Sequence, residues 1–434
     1  MKIQLFNPPS HHYTGMQYQM NPALGLPILA AVLNAAGHTC EVTDLEALGV
    51  SPDRLQARFA AQRDRWPDVV GVTALTSSAR GARDVVRAIR AAGYTGKVIV
   101  GGVHATLFEH EPKEWSGVDA VVTGECEGNI LHILEKEMEW ENGAYRIWHG
   151  ERAPIESVPA PDWEHHSPTP ASYQGNFPKV GHPEGISQWS RGCPWHCVFC
   201  GNIVFGHRPT RYRPPANVEA ELIALKALGL KALFVYDDEL IGGPMPNGWM
   251  AEVADRIAPL DFAWKGQGRC STRHITLDLL ADVKRSGCRV MMWGVESFSP
   301  NVLRATRKGT SPADIWHTLR ASKEAGVQNW LFTMVGNLEE TEDDLALTAE
   351  CLRTAYLEGL VDYRQTTVVT ALPGTELWDI QKRDGWWTAP PESGPAMHQV
   401  YQPTPWLSAE RIAYWLRKFE EACPVSYYGR AACT

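Results

Sequence analysis

Short β-branched runs alternate with amphipathic helical stretches twice over along this chain, and a stretch of different character separates the two series. Such alternation restricts the fold to parallel sheets, because parallel neighbours need crossover connections and the crossover helices then cover both sheet faces. The first series offers strands at Lys2 to Phe6, Thr39 to Thr43, Val69 to Thr73, Lys97 to Val100 and Asp119 to Thr123. Helical stretches lie at Leu26 to Ala36, Pro52 to Gln62, Ala79 to Ala92 and after Thr106. Five strands with about four crossovers predict an α/β domain over residues 1–140, a doubly wound five-stranded parallel sheet.

Residues 141–184 break the alternation and are rich in Pro, His and Trp, which predicts a linker packed over a surface. His165 and His166 lie in it and read as solvated side chains rather than metal ligands. A second series over 185–380 repeats strand then helix about six times, from Ile186 to Trp189 through Gln365 to Thr370. Successive βα units of this length predict a partial (β/α)6 barrel, open on one side because eight units close a full one. Residues 381–434 carry Trp386, Trp387, Tyr401, Trp406, Tyr414, Trp415, Tyr427 and Tyr428, which suit an aromatic-rich cap over the open end.

Open parallel sheets bind ligands at the carboxyl ends of their strands. In the first series those loops carry Pro9 and Ser10, then Leu75, Thr76 and Ser77, then Gly101, Gly102, Val103 and His104, then Gly124 and Glu125. Glycines and small hydroxyl residues there let a flat or extended ligand approach the backbone. No Gly-x-Gly-x-x-Gly follows the first strand, which disfavours a nicotinamide dinucleotide.

The formal net charge of -9 over 434 residues argues against nucleic-acid phosphate as the partner. The stretch Pro27 to Ala36 is half the length that crosses a bilayer, and no apolar core of signal-peptide length precedes Pro8, so no membrane span and a cytoplasmic protein are expected. In a reducing compartment the ten cysteines are thiols, metal ligands or catalysts rather than disulfides. Cys40, Cys126, Cys270, Cys288, Cys351, Cys423 and Cys433 are scattered and read as small buried hydrophobes.

Cys193, Cys197 and Cys200 instead share one short loop after the first strand of the second series. Structural zinc takes four ligands, usually as two close pairs, and no second pair lies near; zinc with His196 as fourth ligand is the remaining form of that reading. A cuboidal iron-sulfur cluster held by three thiolates has one iron open to a substrate or cofactor.

The run Cys193-x-x-x-Cys197-x-x-Cys200 with Phe199 before the third cysteine resembles the radical S-adenosylmethionine enzymes, from Gly185 to about Asp379. The resemblance implies a 4Fe-4S cluster on the three cysteines, with S-adenosylmethionine on its open iron and cleaved to a 5'-deoxyadenosyl radical. It further implies that Phe199 lies beside the adenine, that Asp238, Glu296, Ser297 and Leu372 stand at cofactor-contacting strand ends, and that Arg269 meets the carboxylate, a role Arg211 or Arg213 could share. The first 140 residues are similar to the Rossmann-like cobalamin-binding domain that precedes this barrel in one large subfamily, on Pro22 to Leu26, Gly101 to Thr106 and Thr123 to Glu127. No Asp-x-His-x-x-Gly follows the first strand, and Asp44 to Gly49 has Glu46 at the His position, so no protein histidine is expected on the cobalt; His104 reads as a loop hydrogen-bonding residue. Both halves together imply a cobalamin-dependent radical methyltransferase. It would methylate an unactivated carbon, or phosphorus, of a small natural-product precursor through methylcobalamin, with electrons from a flavodoxin or ferredoxin. A non-methylating rearrangement or cyclisation, and a non-enzymatic iron-sulfur or zinc protein, are the alternatives.

Overall fold

The computed structural model describes residues 1–9, 21–139, 144–173, 175, 183–203, 209–386 and 403–425. The amino-terminal series forms β1 (Lys2–Asn7), α1 (Gly25–Ala35), β2 (Thr39–Asp44), α2 (Pro52–Ala61), β3 (Val69–Thr73), α3 (Ala79–Ala91), β4 (Lys97–Gly101), α4 (Val103–Leu107), β5 (Ala120–Thr123) and α5 (Ile130–Met138). Two further strands, β6 (Arg146–His149) and β7 (His166–Ser167), join the same sheet, which runs β6-β5-β4-β3-β1-β2-β7 with every pair parallel. The sheet is therefore seven-stranded. The segment expected as a linker contributes a strand to each edge. The order reverses between β1 and β3, so their carboxyl ends open at the switch point where such sheets bind ligands.

His166 differs from the solvated side chain expected of it: on β7 it is buried, its Nδ1 paired with the Pro168 carbonyl at 2.8 Å. His165 stays partly exposed against the Asp162 carboxylate at 2.9 Å.

The second series forms β8 (Glu184–Ser187), a small antiparallel ladder of β9 (Ser190–Arg191) with β10 (Arg211–Tyr212), α6 (Pro215–Ala227), β11 (Ala232–Val235), α7 (Trp249–Ile257), β12 (Ala263–Gly268), α8 (Leu277–Arg285) and β13 (Cys288–Glu296). It continues through α9 (Pro300–Ala305), α10 (Pro312–Glu324), β14 (Gln328–Val335), α11 (Glu342–Leu357), β15 (Tyr363–Val368), α12 (Glu376–Arg383) and α13 (Ala409–Ala422). The parallel sheet follows chain order, β8-β11-β12-β13-β14-β15, and β8 does not pair with β15. This is a barrel wall of six strands left open.

Helix starts here are written into the sequence. Ser311 and Thr341 each form a capping box with the aspartate three residues on, and Thr276, Thr375 and Ser408 cap α8, α12 and α13 through their side chains. Alternate residues of the strands point outward into one core shared with these helices, including Leu233, Trp264, Met291, Trp293 and Leu331. From the carboxyl-terminal tail, α13 buries Ile412, Trp415 and Phe419 in that outer core, and Trp415 donates to Glu342 on α11 at 2.6 Å. Trp387, Tyr401, Tyr427 and Tyr428, also expected in the cap, lie outside the described residues.

The scattered cysteines behave as expected where described. Cys40, Cys126, Cys270, Cys288 and Cys423 are buried and Cys351 is half-buried; Cys433 lies outside the described residues. Burial pushes the Cys40, Cys126 and Cys270 thiols up to about 12, which keeps them protonated and unreactive.

Candidate functional site

The cysteine loop leaves β9 at the carboxyl end of the second sheet. Three consecutive acidic residues after β11 grip it. Asp237 accepts from the Trp189 amide at 2.8 Å and the Ser190 hydroxyl at 2.6 Å, Asp238 from the Gly192 amide at 2.9 Å, and Glu239 from the Trp195 indole at 2.9 Å and the Cys193 thiol at 3.3 Å. Burial raises the Asp237 carboxyl to about 7 and raises that of Glu239. Gly243 keeps Glu239 in place, since a Cβ there would stand 2.6 Å from its Oε1. Further along, the Val198 amide donates to the Thr306 carbonyl at 3.1 Å and the Val198 carbonyl accepts from Leu377 at 2.9 Å.

Burial pushes the Cys193 and Cys200 thiols up, so a cation arriving there would displace protons. Among the described residues no three His, Cys, Asp or Glu side chains stand at the mutual distances one metal ion requires. The three thiols nevertheless share one short loop, and they would be the protein ligands of a cluster. Arg269, 4% exposed, lays its guanidinium 4.3 Å from the Trp195 ring centroid and points Nη1 and Nη2 at the Cys197 sulfur, each at 3.9 Å. Its Nε is buried and makes no hydrogen bond among the described residues. A buried guanidinium in that condition suits an incoming carboxylate, which fits S-adenosylmethionine.

Glu296 closes the other side. A register shift between β13 and β14 at Gly294 leaves Glu296 with φ +62°, and its carboxylate pairs with Lys308 at 2.8 Å. Gly294 makes room, because a Cβ there would stand 2.7 Å from Lys308 Nζ. Burial alone would lower the Lys308 ammonium, but the Glu296 carboxylate outweighs it and holds it above the ordinary lysine range. Ser297 is fully buried, its hydroxyl 3.0 Å from that of Thr348 on α11 and accepting from the Ser299 amide at 3.1 Å. Leu372 offers its carbonyl to Thr375, whose side chain caps α12. Phe199 packs with Val198, Leu338, Val369 and Ala371, at the ends of β14 and β15. Arg213 pairs with Glu221 and with the Gln188 carbonyl through Nη1.

The inner face of the barrel wall is aromatic. Phe234, Met292, Trp330, Phe332 and Tyr363 form one cluster there. Tyr236 stands edge-on to Phe234 at 5.1 Å and is 54% exposed at the carboxyl end of the wall. Below lies Lys265, fully buried, 3.1 Å from Glu184 and 4.9 Å from the Phe234 ring. Burial pulls this lysine down to about 8 against the pull of Glu184.

At the carboxyl edge of the first sheet, Leu75 and Val103 are exposed apolar side chains, 45% and 39% accessible. Gly102 has φ +95°, and a Cβ would lie 2.6 Å from Thr73 Oγ1 and 2.8 Å from the Ala74 carbonyl. Thr106 ties this loop to the next, donating to the Gly102 carbonyl at 2.9 Å and accepting from the Gly124 amide at 2.9 Å. Gly124 itself faces open space. An apolar, glycine-floored edge fits the flat face of a corrin. Pro9 lies two residues past the end of β1, Thr76 and Ser77 open the turn after β3, and Ser10 lies outside the described residues. His104 is buried, with Nε2 on Glu111 at 3.1 Å and its ring against Phe108 at 4.6 Å. Asp44 is likewise buried and committed to Tyr173 at 2.7 Å. Gly102→Ala is expected to cost about 2 kcal/mol from positive φ and crowding together, and to weaken hydroxocobalamin binding; a thermal melt and a spectrophotometric titration check both.

Glu125 is placed differently from its sequence neighbours on that edge. It accepts from Arg191 at 2.9 Å and from Arg211, and Arg152 lies 3.5 Å away. Burial would raise its carboxyl, but Arg211 and Arg191 hold it down at about 2. Trp195, Glu239, Lys308 and Arg191 were not singled out from the sequence. Their partners stand 12 to 66 residues away along the chain, with whole elements between, and no local pattern marks such pairs.

Residues 18–134 match the model of the B12 binding domain, and residues 187–352 that of the radical SAM superfamily. An uncharacterized methyltransferase of Pyrococcus horikoshii is 27% identical over 403 residues, 87% of this chain and 83% of its own length. The anaerobic magnesium-protoporphyrin IX monomethyl ester cyclase of Synechocystis is 25% identical over 367 residues, 79% of this chain and 70% of its own. In overall fold the chain is similar to the radical S-adenosylmethionine methyltransferase TsrM from Kitasatospora setae, solved with cobalamin and a 4Fe-4S cluster bound. The TM-score is 0.70 at 16% identity, over 97% of this chain and 88% of that one. With a B12 binding domain at residues 18–134 followed by a radical SAM domain at 187–352, this chain belongs to the cobalamin-dependent radical S-adenosylmethionine family.

Proposed function

We propose that the chain transfers a methyl group from S-adenosylmethionine to an unactivated carbon, or phosphorus, of a small natural-product precursor. The observation that carries this reading is the meeting of two ligand loops: the loop after β5 in the first sheet touches the strand that leads into the cysteine loop of the second, through Glu125 and Arg191. When bound, the cluster supplies the electron that cleaves S-adenosylmethionine to a 5'-deoxyadenosyl radical, and cobalamin supplies a methyl carrier. The protein's own part is placement. Cys193, Cys197 and Cys200 hold the cluster, Arg269 receives the methionyl carboxylate, and Phe199 flanks the adenine. Asp238 and Glu239 keep the loop from shifting, and Glu296 and Lys308 neutralise each other at its rim. Tyr236, Phe234 and Phe332 wall the substrate from water on the inner face. The edge of Leu75, Gly102, Val103 and Gly124 would carry the corrin, and a flavodoxin or ferredoxin would supply the electron. Among the described residues no helix is long and apolar enough to cross a membrane.

The test is anaerobic reconstitution with cobalamin and S-adenosylmethionine bearing a deuterated methyl group, followed by mass spectrometry. S-adenosylhomocysteine formed beside 5'-deoxyadenosine is the expected result. Finding 5'-deoxyadenosine alone would overturn methyl transfer. It would favour the second reading, a rearrangement or cyclisation, which the likeness to the Synechocystis cyclase supports.

A further inference from the structure

Glu125 stands where the first sheet should meet cobalamin, yet its carboxylate faces the other domain. Its two oxygens take Arg191 Nη1 at 2.9 Å and Arg211 Nη2, and Glu127 takes the same Arg191 nitrogen at 2.6 Å. Arg191 and Arg211 sit directly opposite each other in the β9–β10 ladder, which brackets the cysteine loop on both sides. Two guanidiniums in register repel unless an anion lies between them. The anion is supplied by the other domain, and the side chains of Arg191 and Glu125 are each only 10% exposed. The ladder that frames Cys193 therefore depends for its charge balance on the loop after β5. That loop is tied in turn through Gly124 and Thr106 to the carbonyl of Gly102, on the expected corrin edge.

We propose that Glu125 is a positioning residue that couples the two cofactor sites: ordering the cysteine loop around a cluster orders the corrin edge, and the reverse. The proposal rests on the reading that the first sheet binds cobalamin and the cysteines hold a cluster. Linkage makes the coupling reciprocal, so it can be read from binding alone, without turnover.

The experiment is a titration of the full chain with hydroxocobalamin, followed by its visible spectrum, with and without the reconstituted cluster. In the native protein the cluster is expected to tighten hydroxocobalamin at least about fivefold. In Glu125→Gln the two dissociation constants are expected to converge, while iron content stays native. Arg211→Gln, which removes the other half of the clamp and leaves Arg191 and Glu125 paired, is expected to reduce the ratio as well. It provides a second reading should Glu125→Gln fail to fold. A native ratio clearly below about fivefold, or a ratio in both variants within about twofold of native, overturns the proposal, since coupling energies of this kind start near fivefold. If the native protein takes up no hydroxocobalamin in either form, the cobalamin reading itself fails and the coupling falls with it.

Discussion

Cys197→Ala is expected to remove the iron-sulfur chromophore and to lower 5'-deoxyadenosine formation by at least about a thousandfold, because groups that act as one unit fail together when any member is lost. Cys197 is 6% exposed and its sulfur is the one that both Nη atoms of Arg269 approach. The variant loses a sulfur but no large packing volume, so its unfolding transition should move little, by the ~1 kcal/mol common to single substitutions. The comparison that gives this meaning is Cys288→Ala. Cys288 is fully buried at the start of β13, where its thiol donates to the Val290 carbonyl at 3.6 Å. That variant should lose a similar amount of stability and keep both chromophore and radical formation. Iron analysis, the visible spectrum and product assay on the two proteins check the pair. A Cys197→Ala protein that still binds iron and yields 5'-deoxyadenosine would remove the cysteine loop from the mechanism.

What the sequence made legible follows from how local each signal is. Val69 to Thr73 and Lys97 to Val100 read as strands because buried parallel strands are apolar runs, and the capping boxes at Ser311 and Thr341 mark their helices within four residues. β6 carries Arg, Trp and His on a half-exposed edge and β7 is two residues long, so neither has the composition of a strand, and the sequence pattern by itself predicts only five. The cysteine spacing was plain, whereas the clamps on the loop come from Asp237, Asp238 and Glu239, 44 to 48 residues further on, and were not. Glu125 shows the limit best. Its neighbour Gly124 faces open space, but the direction of the Glu125 carboxylate is set by arginines 66 and 86 residues away. A loop motif names which loop carries function without saying which way each side chain faces.

The buried pair of Lys308 with Glu296 carries the second large effect. Lys308→Met leaves a carboxylate in a positive-φ backbone position, walled by Gly294 and without its ammonium. Removing one partner of a buried ion pair costs about 3–5 kcal/mol, and at roughly 2–4 °C per kcal/mol for a domain of this size the melting midpoint should fall by ~10 °C. The double variant Glu296→Gln with Lys308→Met removes both charges and should recover most of that loss, since replacing both partners of such a pair is often nearly neutral. The cycle of the two single variants and the double then measures the coupling directly. Catalysis should not recover with stability. Lys308 lies close enough to Arg269 and Cys197 for their charges to act on it, so its removal changes the field at the sulfur whether or not the fold is repaired. A double variant as stable as the native protein but impaired in 5'-deoxyadenosine formation would show the pair serving the site. Full recovery of both would reduce it to a strut.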